Sequence, residues 1–505
     1  MVAAAVLAAG CTTEDDESLV RSVEIIESPD APLAVEVVVT TVEAAVASVT
    51  VTDDEGASWT VEGNLSDADR ETRLRVYGLR PEVSYEFEVL ATGEGVQETA
   101  TVEHTAAPLP EDFPALSATG QAGDDGWTLF PVTGWTDTTG LRPDWGWLVA
   151  VDARGRVVWW RRADVPSAVH VTADGTLAVI EDDLVLTQYD WFGTEVAAFD
   201  SAQMPDADTL HHESIPTEDG GFYSMVTELR RIDGYPDLEN PGMTVTEPVI
   251  GDEVVKLDAD GNVTARWSLI DLLPDAHFRL SPLFFTPFWD WAYTAQVPEG
   301  GTRDWSHSNA VEIDTVRDLV LVSARHLDWI IALDPASDAV AWRLGVDGDF
   351  TLDSGSWFSH PHAPEVQADG SILLYDNGNF RPGTGLEPGQ EAPYSRAVEY
   401  SLDTGTMTAT QSWEYVADPP RYAAFVGDAD QLESGNVLVT DGGLQTDITK
   451  LIIDPTNVKY AILEEVERGS GQPVFAVQVG DPDGTESYTV YRADRVTAPA
   501  GGQIN

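Results

Sequence analysis

Basic residues are scarce in this chain: 27 Lys and Arg stand against 87 Asp and Glu, a formal net charge of −60. Such a field repels polyphosphates and anionic headgroups, which excludes nucleic acid and a bare anionic membrane as main partners. It suits a saline medium, where mobile ions screen the self-repulsion over roughly 8 Å or less. It also sets a condition, since any anionic substrate must find a local cationic pocket inside a repulsive far field. Cysteine is nearly absent: Cys11 stands alone, so no intramolecular disulfide forms. Beyond the N-terminus no segment is long and apolar enough to span a bilayer. Long amphipathic helical patterns are also missing, which argues against a helical bundle.

What the chain has is turn chemistry and aromatics: Gly 42, Pro 30 and Trp 16 in 505 residues. That length exceeds one small core and predicts two or more domains. Residues 20–106 alternate apolar and polar (VEVVVTTV, ASVTVTD, SWTVEG, RLRVYGL, SYEFEVLA, TATVEH), the pattern of about seven short strands in a β-sandwich. The run Leu79-Arg80-Pro81-Glu82-Val83-Ser84-Tyr85-Glu86-Phe87 resembles the L-x-P-x-x-x-Y-x-F corner of fibronectin type III domains. Residues 105–113 (TAAPLPEDF) read as a Pro-rich linker. Residues 115–505 are therefore expected to fold and act without 20–104.

From about residue 115 a repeat appears, in which a strand enters an Asp-rich turn and leaves as an apolar strand. Its copies are LVAVDARGRVVWW (148–160), TQYDWFGTEVAAF (187–199), VVKLDADGNVTARW (254–267), IIALDPASDAVAW (330–342), VEYSLDTGTMTATQSW (398–413) and KLIIDPTNVKYAIL (450–463). Six repeats of propeller-blade length predict an all-β chain: an N-terminal β-sandwich at 20–106, then a six-bladed β-propeller at 115–500. The 115–135 segment, containing WTLFPVTGW, is expected to pair with the last blade and close the ring.

Histidines precede apolar strands at recurring points: His170, His211-His212, His307 and His362, the last in GSWFSHPHAPEVQADGSILLYDNGN (355–379). In a propeller such positions gather at one mouth of the central channel. Arg325, in VSARH, joins them on the outgoing strand of the His307 blade. Histidines with an arginine make the local positive site that an oxygen-rich anionic group requires. His212 and His307 are 95 residues apart, against 42 for His170 and His212. The excess holds HFRLSPLFFTPFWDWAY (277–293), read as a lid or pocket wall. His170 lacks polar neighbours in sequence and is weighed as structural, as are His104 and His277. His360-Pro361-His362 offers H-x-H chelation, but H-E-x-x-H and a Cys pair are missing, so no metal site is assigned.

The pieces Asp304-Trp305-Ser306-His307-Ser308-Asn309, Ser323-Ala324-Arg325, His360-Pro361-His362-Ala363 and Leu374-Tyr375-Asp376-Asn377-Gly378 resemble the bacterial arylsulfotransferases, over about 115–500. The His211-His212-Glu213 step is similar to that family's earlier histidine motif. The resemblance implies a six-bladed propeller that needs no nucleotide sulfate donor and no cofactor. It would move a sulfuryl group from a phenolic sulfate to a phenol through a sulfated histidine. It puts the nucleophile on His362, and His307 and Arg325 on the sulfuryl oxygens, His307 being protonated. His211 or His212 completes the clamp, His212 preferred. His211, His360 and Asn309 are expected to contact substrate. Two other readings stay open: a non-catalytic propeller binding a surface glycan or partner protein, and a metal-dependent hydrolase or lyase.

The N-terminal step Val6-Leu7-Ala8-Ala9-Gly10-Cys11 resembles the lipobox of bacterial lipoproteins. It implies a lipid on Cys11, with residues 1–19 as signal remnant and tether. Only ten residues precede Cys11, so the coding start is expected upstream. Thr12 after the cysteine favours a periplasmic or surface lipoprotein of the outer membrane.

Overall fold

A computed structural model describes residues 18–502, apart from 67–69, 136–142, 238–239, 241, 280, 286–287, 388, 451–453 and 455. Cys11 and its lipobox lie outside the described residues. The fold is all-β.

Residues 20–105 form seven strands in two sheets. One sheet orders Val20–Glu27, Val35–Thr41 and Glu71–Val76; the other orders Ser58–Leu65, Val46–Thr52, Ser84–Thr92 and Gln97–Thr105. Strict alternation drives this. Along Ser84–Thr92 the inward residues Tyr85, Phe87, Val89 and Ala91 are all buried. The Tyr85 hydroxyl accepts from the Arg80 backbone N–H at 2.7 Å, the corner bond that its spacing from Leu79 anticipates.

Among the described residues, six further sheets of four or five strands follow. Their innermost strands neighbour one another around a ring: Pro166–Val171, His211–Pro216, Ser308–Asp314, Pro361–Val366 and Asp428–Gln431. The sixth sheet is assembled from both chain ends. Trp127–Trp135 pairs with Trp145–Val151 on one side and with the C-terminal strands Ser487–Thr489 and Asp494–Val496 on the other. The ring is tied a second time by Leu116–Gly120, which pairs with Gln472–Val479 as the outer strand of the last sheet. The 115–135 expectation therefore divides: Leu116–Gly120 joins the last blade, while WTLFPVTGW heads the first.

The repeated Asp turns sit on outer hairpins. Asp152 shows why aspartate recurs: its carboxylate accepts from the Arg154 and Arg156 amides at 2.9 and 3.0 Å, closing the turn that Gly155 enters at φ 75°. The copy at 450–463 is a correction. In that blade the outer hairpin joins Lys459–Glu467 to Gln472–Val479, and the Asp-Pro segment instead precedes the earlier strand.

Residues 105–113 are not a free linker. Phe113 packs on Trp147 and Trp160, with ring centroids 5.3 and 6.2 Å away. Ala31, Ala34 and Tyr77 of the sandwich share a buried cluster with Trp127, Trp159 and Trp191 of the propeller. Arg75 pairs with Asp190 at 2.8 Å across the same boundary. A shared apolar core of this kind weighs against the expectation that 115–505 folds alone, since truncation would bare it.

Candidate active site

Three inner strands begin with the same irregularity. The pairing register slips between His211 and Ser214, between Ser308 and Ala310, and between His362 and Glu365. At these points non-glycine residues adopt left-handed backbone: His212 at φ 61°, His307 at 43° and Ala363 at 48°. Each such residue costs on the order of 1–3 kcal/mol. Bulges kept at that cost re-aim side chains, and here they turn imidazoles toward the channel.

His212 and His307 lie with ring centroids 5.2 Å apart, and His307 stacks on His326 at 4.6 Å. The 277–293 insertion closes over them. Phe288 meets His307 edge-on at 5.2 Å and lies 6.1 Å from His212, while Trp289 packs on His211 at 4.8 Å. The insertion is fastened by the Tyr293 hydroxyl on Thr227 Oγ1 at 2.7 Å, and by Asp290, which accepts from the Gly301 and Thr302 amides at 2.8 and 3.0 Å. From the chain end, Tyr491 lies 5.9 Å from His212 and donates to the Asn309 carbonyl at 2.6 Å.

His362 is buried, and its partner is Asn377. The orientation of that amide follows from its other contacts. Asn377 Nδ2 spends its hydrogens on the carbonyls of Ala423 and Val426, at 2.7 and 2.8 Å. Oδ1 must therefore accept, so His362 donates Nδ1–H and keeps a lone pair on Nε2. Burial, then the Arg325 charge, holds His362 well below the ordinary imidazole range. Burial, with the nearby His211, His307, His362 and Arg325, does the same to His212.

Arg325 differs from its peers. Among the described residues, the four arginines that are almost fully buried are Arg80, Arg325, Arg381 and Arg396. Three of them have a carboxylate within 2.8 Å, whereas Arg325 has none within 4.0 Å among the described residues. Its Nη2 donates to the Ala424 carbonyl at 2.8 Å, Nη1 meets His326 Nε2 at 3.1 Å, and Nε is buried without a partner. Burial pushes it down to about 10.

His307 departs from the sequence reading. Its Nδ1 lies 2.5 Å from Asp304 Oδ2, yet burial, then Arg325, pushes it down to about 3. Burial and the Arg325 charge thus oppose a protonated His307, and Arg325 is the permanent cation of the group. Burial also raises Asp304, to about 7.

The remaining candidates are held away from the centre. His211 is fully buried, with Nδ1 2.7 Å from His212 Nδ1 and Nε2 3.4 Å from Asp252, so it backs His212 rather than meeting a substrate. His360 sits on Asp328 at 3.1 Å and on Ser281 of the insertion at 3.0 Å. Asn309 donates to the Pro361 carbonyl at 2.9 Å, which ties the His307 strand to the His362 strand. These contacts hold the three side chains in place beside His212, His307 and His362. His170 lies further along its strand, 3.0 Å from Glu213 and apart from the other histidines. His104 pairs with Glu27 at 3.6 Å, and His277 bonds the Ile270 carbonyl at 2.8 Å.

Sequence reasoning passed over Asp304, His326, Asn377 and Tyr491. The first three stand inside motifs already singled out, but their roles depend on partners set by the folded register. Tyr491 belongs to no motif. Asp304, His307 and His326 offer ligand atoms within 4.8 Å of one another and are the side chains here that could hold a divalent metal.

A family model described as arylsulfotransferase (ASST) matches residues 144–492, and one described as the arylsulfotransferase Ig-like domain matches residues 28–107. Two curated relatives named arylsulfate sulfotransferase AssT are similar. One, from Escherichia coli O6:H1, is 26% identical over 257 residues; the other, from Lelliottia amnigena, is 25% identical over 256 residues. Each match spans 40% of this chain and 40% of the relative's length. A solved structure of chicken CNTN1 FN1-FN3 domains matches 49% of this chain and 96% of its own, at 10% identity and a TM-score of 0.14, and carries no argument.

Proposed function

The chain belongs to the arylsulfotransferase family, and on that premise we propose that it transfers a sulfuryl group from an aryl sulfate to a phenol through a sulfated His362. The observation that carries the reading is Arg325, a buried guanidinium without a carboxylate beside neutral imidazoles. Burying an unpaired charge is costly unless a counter-charge arrives. A sulfate ester brings that charge, and the guanidinium fork matches its oxygens.

In the first step His362 Nε2 attacks sulfur, an N–S bond forms, and the S–O bond to the aryl group breaks. The aryl oxygen leaves with the bonding pair and needs a proton. The line Asp252, His211, His212 supplies a route for it. The Asp252–His211 pair enters as carboxylate and imidazolium: the His211 Nδ1 proton passes to His212 Nδ1 as His212 Nε2–H goes to the phenolate, which leaves both rings neutral. In the second step the acceptor phenol returns its proton by the same route, its oxygen attacks sulfur, and the N–S bond breaks. Arg325 holds the sulfuryl oxygens throughout, a preorganised donor in a dry site. Phe288, edge-on to His307, supports an aromatic substrate rather than an alkyl sulfate.

The test is incubation with a chromogenic aryl sulfate and a second phenol, following phenol release and new ester together. Equal amounts of both, with a burst and an acid-labile sulfuryl group on His362, are expected. Release without new ester, abolished by a chelator, would instead favour metal-assisted hydrolysis at Asp304, His307 and His326. No turnover of any aryl sulfate would favour a binding-only propeller.

A further inference from the structure

The inner strands carry a second set of ionisable side chains further along the channel. They line a cavity of about 300 Å³. Glu213, Glu312, Glu365, Asp428, Asp430 and Asp494 all face it, and the cations among its walls are Arg492 and Arg495.

Part of this charge is already spent. Glu213 takes Arg492 Nη1 at 2.5 Å, His170 Nε2 at 3.0 Å and the Val311 amide at 2.8 Å. Glu365 accepts from the Gln431 amide at 2.8 Å. Arg495 is occupied by Glu465 at 3.0 Å and by Asp124.

Two of the three aspartates are left short of donors, while Asp494 lies 3.9 Å from His170 Nδ1. Asp428 is 1% exposed, and its Oδ2 has no hydrogen-bond partner. Asp430 Oδ2 is buried without a partner as well. One carboxylate oxygen from each of Asp428, Asp430 and Asp494 lies within 4.8 Å of the other two. Oxygens about 2.4 Å from one ion lie at most about 4.8 Å apart, so the three have the spacing that oxygens sharing a cation require. Burial pushes Asp428 up to about 6 against the nearby Arg492 charge, with repulsion from Asp494 and Glu213 adding to the rise.

We propose that Asp428, Asp430 and Asp494 hold one divalent cation of the calcium type in the propeller channel. Three hard oxygen donors with no nitrogen or sulfur among them favour calcium over zinc or copper. The place gives the ion a task. Asp428 and Asp430 lie on the inner strand of the last blade, while Asp494 lies on the C-terminal strand of the first. The ion would bridge the seam where the ring closes. It would also fix the strand entry that carries Tyr491 and Arg492, the first of which borders His212.

The experiment uses the full chain, stripped with a chelator and kept in enough potassium chloride to screen its surface. Calcium is titrated by calorimetry, and thermal unfolding is followed in parallel. One saturable site per chain and a rise in Tm of several degrees are expected. The double variant Asp428→Asn, Asp494→Asn should lose both, while its calcium-free Tm equals or exceeds that of the stripped parent, because like-charge repulsion is removed. The exposed Asp219→Asn should behave as the parent. Should the double variant fail to fold, Asp430→Asn read by the same titration must lose the site. Absence of saturable calcium binding in the parent, or binding and Tm rise unchanged in the channel variants, would overturn the proposal.

Discussion

Arg325→Ala separates a functional cation from a structural one. In the folded protein burial lowers the Arg325 pKa from 12.5 to about 10, a penalty on the order of 3 kcal/mol on keeping it charged. Removal relieves that penalty. Against it stand the lost bonds to the Ala424 carbonyl and His326 Nε2, each worth roughly 1.5–3 kcal/mol when the donor is charged. The two bonds together outweigh the relieved penalty by at most about 3 kcal/mol, so stability should fall by less than about 3 kcal/mol. Activity should not be spared, since losing a preorganised donor to a developing anion costs about 3–4 kcal/mol of barrier, roughly 10²–10³ in kcat. Arg325→Lys should recover only part, because a point charge cannot reproduce the planar fork. Aryl sulfate turnover and urea unfolding of the same preparations provide the readouts. A variant that loses 3 kcal/mol or more of stability, or that keeps activity within about threefold of the parent, would refute the assignment.

Other predictions follow from the same contacts. Asn377→Leu removes the acceptor that fixes the His362 tautomer, so kcat should fall roughly 10- to 100-fold, the worth of one buried hydrogen bond, with KM little changed; equal kcat would show the bond to be incidental. His362 is depressed below its ordinary 6.5, so its neutral, nucleophilic form persists as pH falls through that value. The acid limb of kcat/KM should lie well below pH 6.5, and a limb with an apparent pKa near 6.5 would contradict a buried nucleophile. Deleting the sandwich, residues 18–106, bares Trp127, Trp159 and Trp191 and should yield insoluble or partly unfolded protein; a soluble, active truncation would show the shared core to be dispensable. Fatty-acid labelling of the chain in a bacterial host should vanish in Cys11→Ala, and labelling that survives would remove the lipid anchor.

The sequence made the fold class legible because strand alternation and Asp turns are local. Tyr85 and Asp152 act within a few residues of their own positions. The blade count was readable for the same reason, and the misplaced sixth copy shows the limit. An Asp-Pro turn looks alike on a middle loop and on an outer hairpin, and only strand pairing separates them. Ring closure was half legible. An apolar edge strand must find a partner, but which partner is a long-range fact: Leu116–Gly120 and Trp127–Trp135 sit in different sheets despite six residues between them. The Pro-rich 105–113 segment was misread because proline content does not reveal that Phe113 docks between two tryptophans.

At the site, residue types were legible and charge states were not. Histidine near a turn suggests an imidazolium when its neighbours in sequence are acidic. His307, with Asp304 three residues before it, invites that reading. In the folded protein burial, and then the Arg325 charge, oppose that state. The reversal has a chemical consequence. A clamp of protonated histidines would bind any anion, including those of the salts that screen a chain of charge −60. Neutral imidazoles around one unpaired guanidinium bind inorganic anions weakly and concentrate the whole attraction at a single fork. Selection then falls on the rest of the ligand, which Phe288 beside His307 would meet. High chloride should therefore compete poorly with an aryl sulfate: KM should rise less than about threefold between low and molar potassium chloride, the exposed charges being already screened. A KM climbing in proportion to chloride would mean that Arg325 reads charge alone, and that the aromatic wall contributes nothing to recognition.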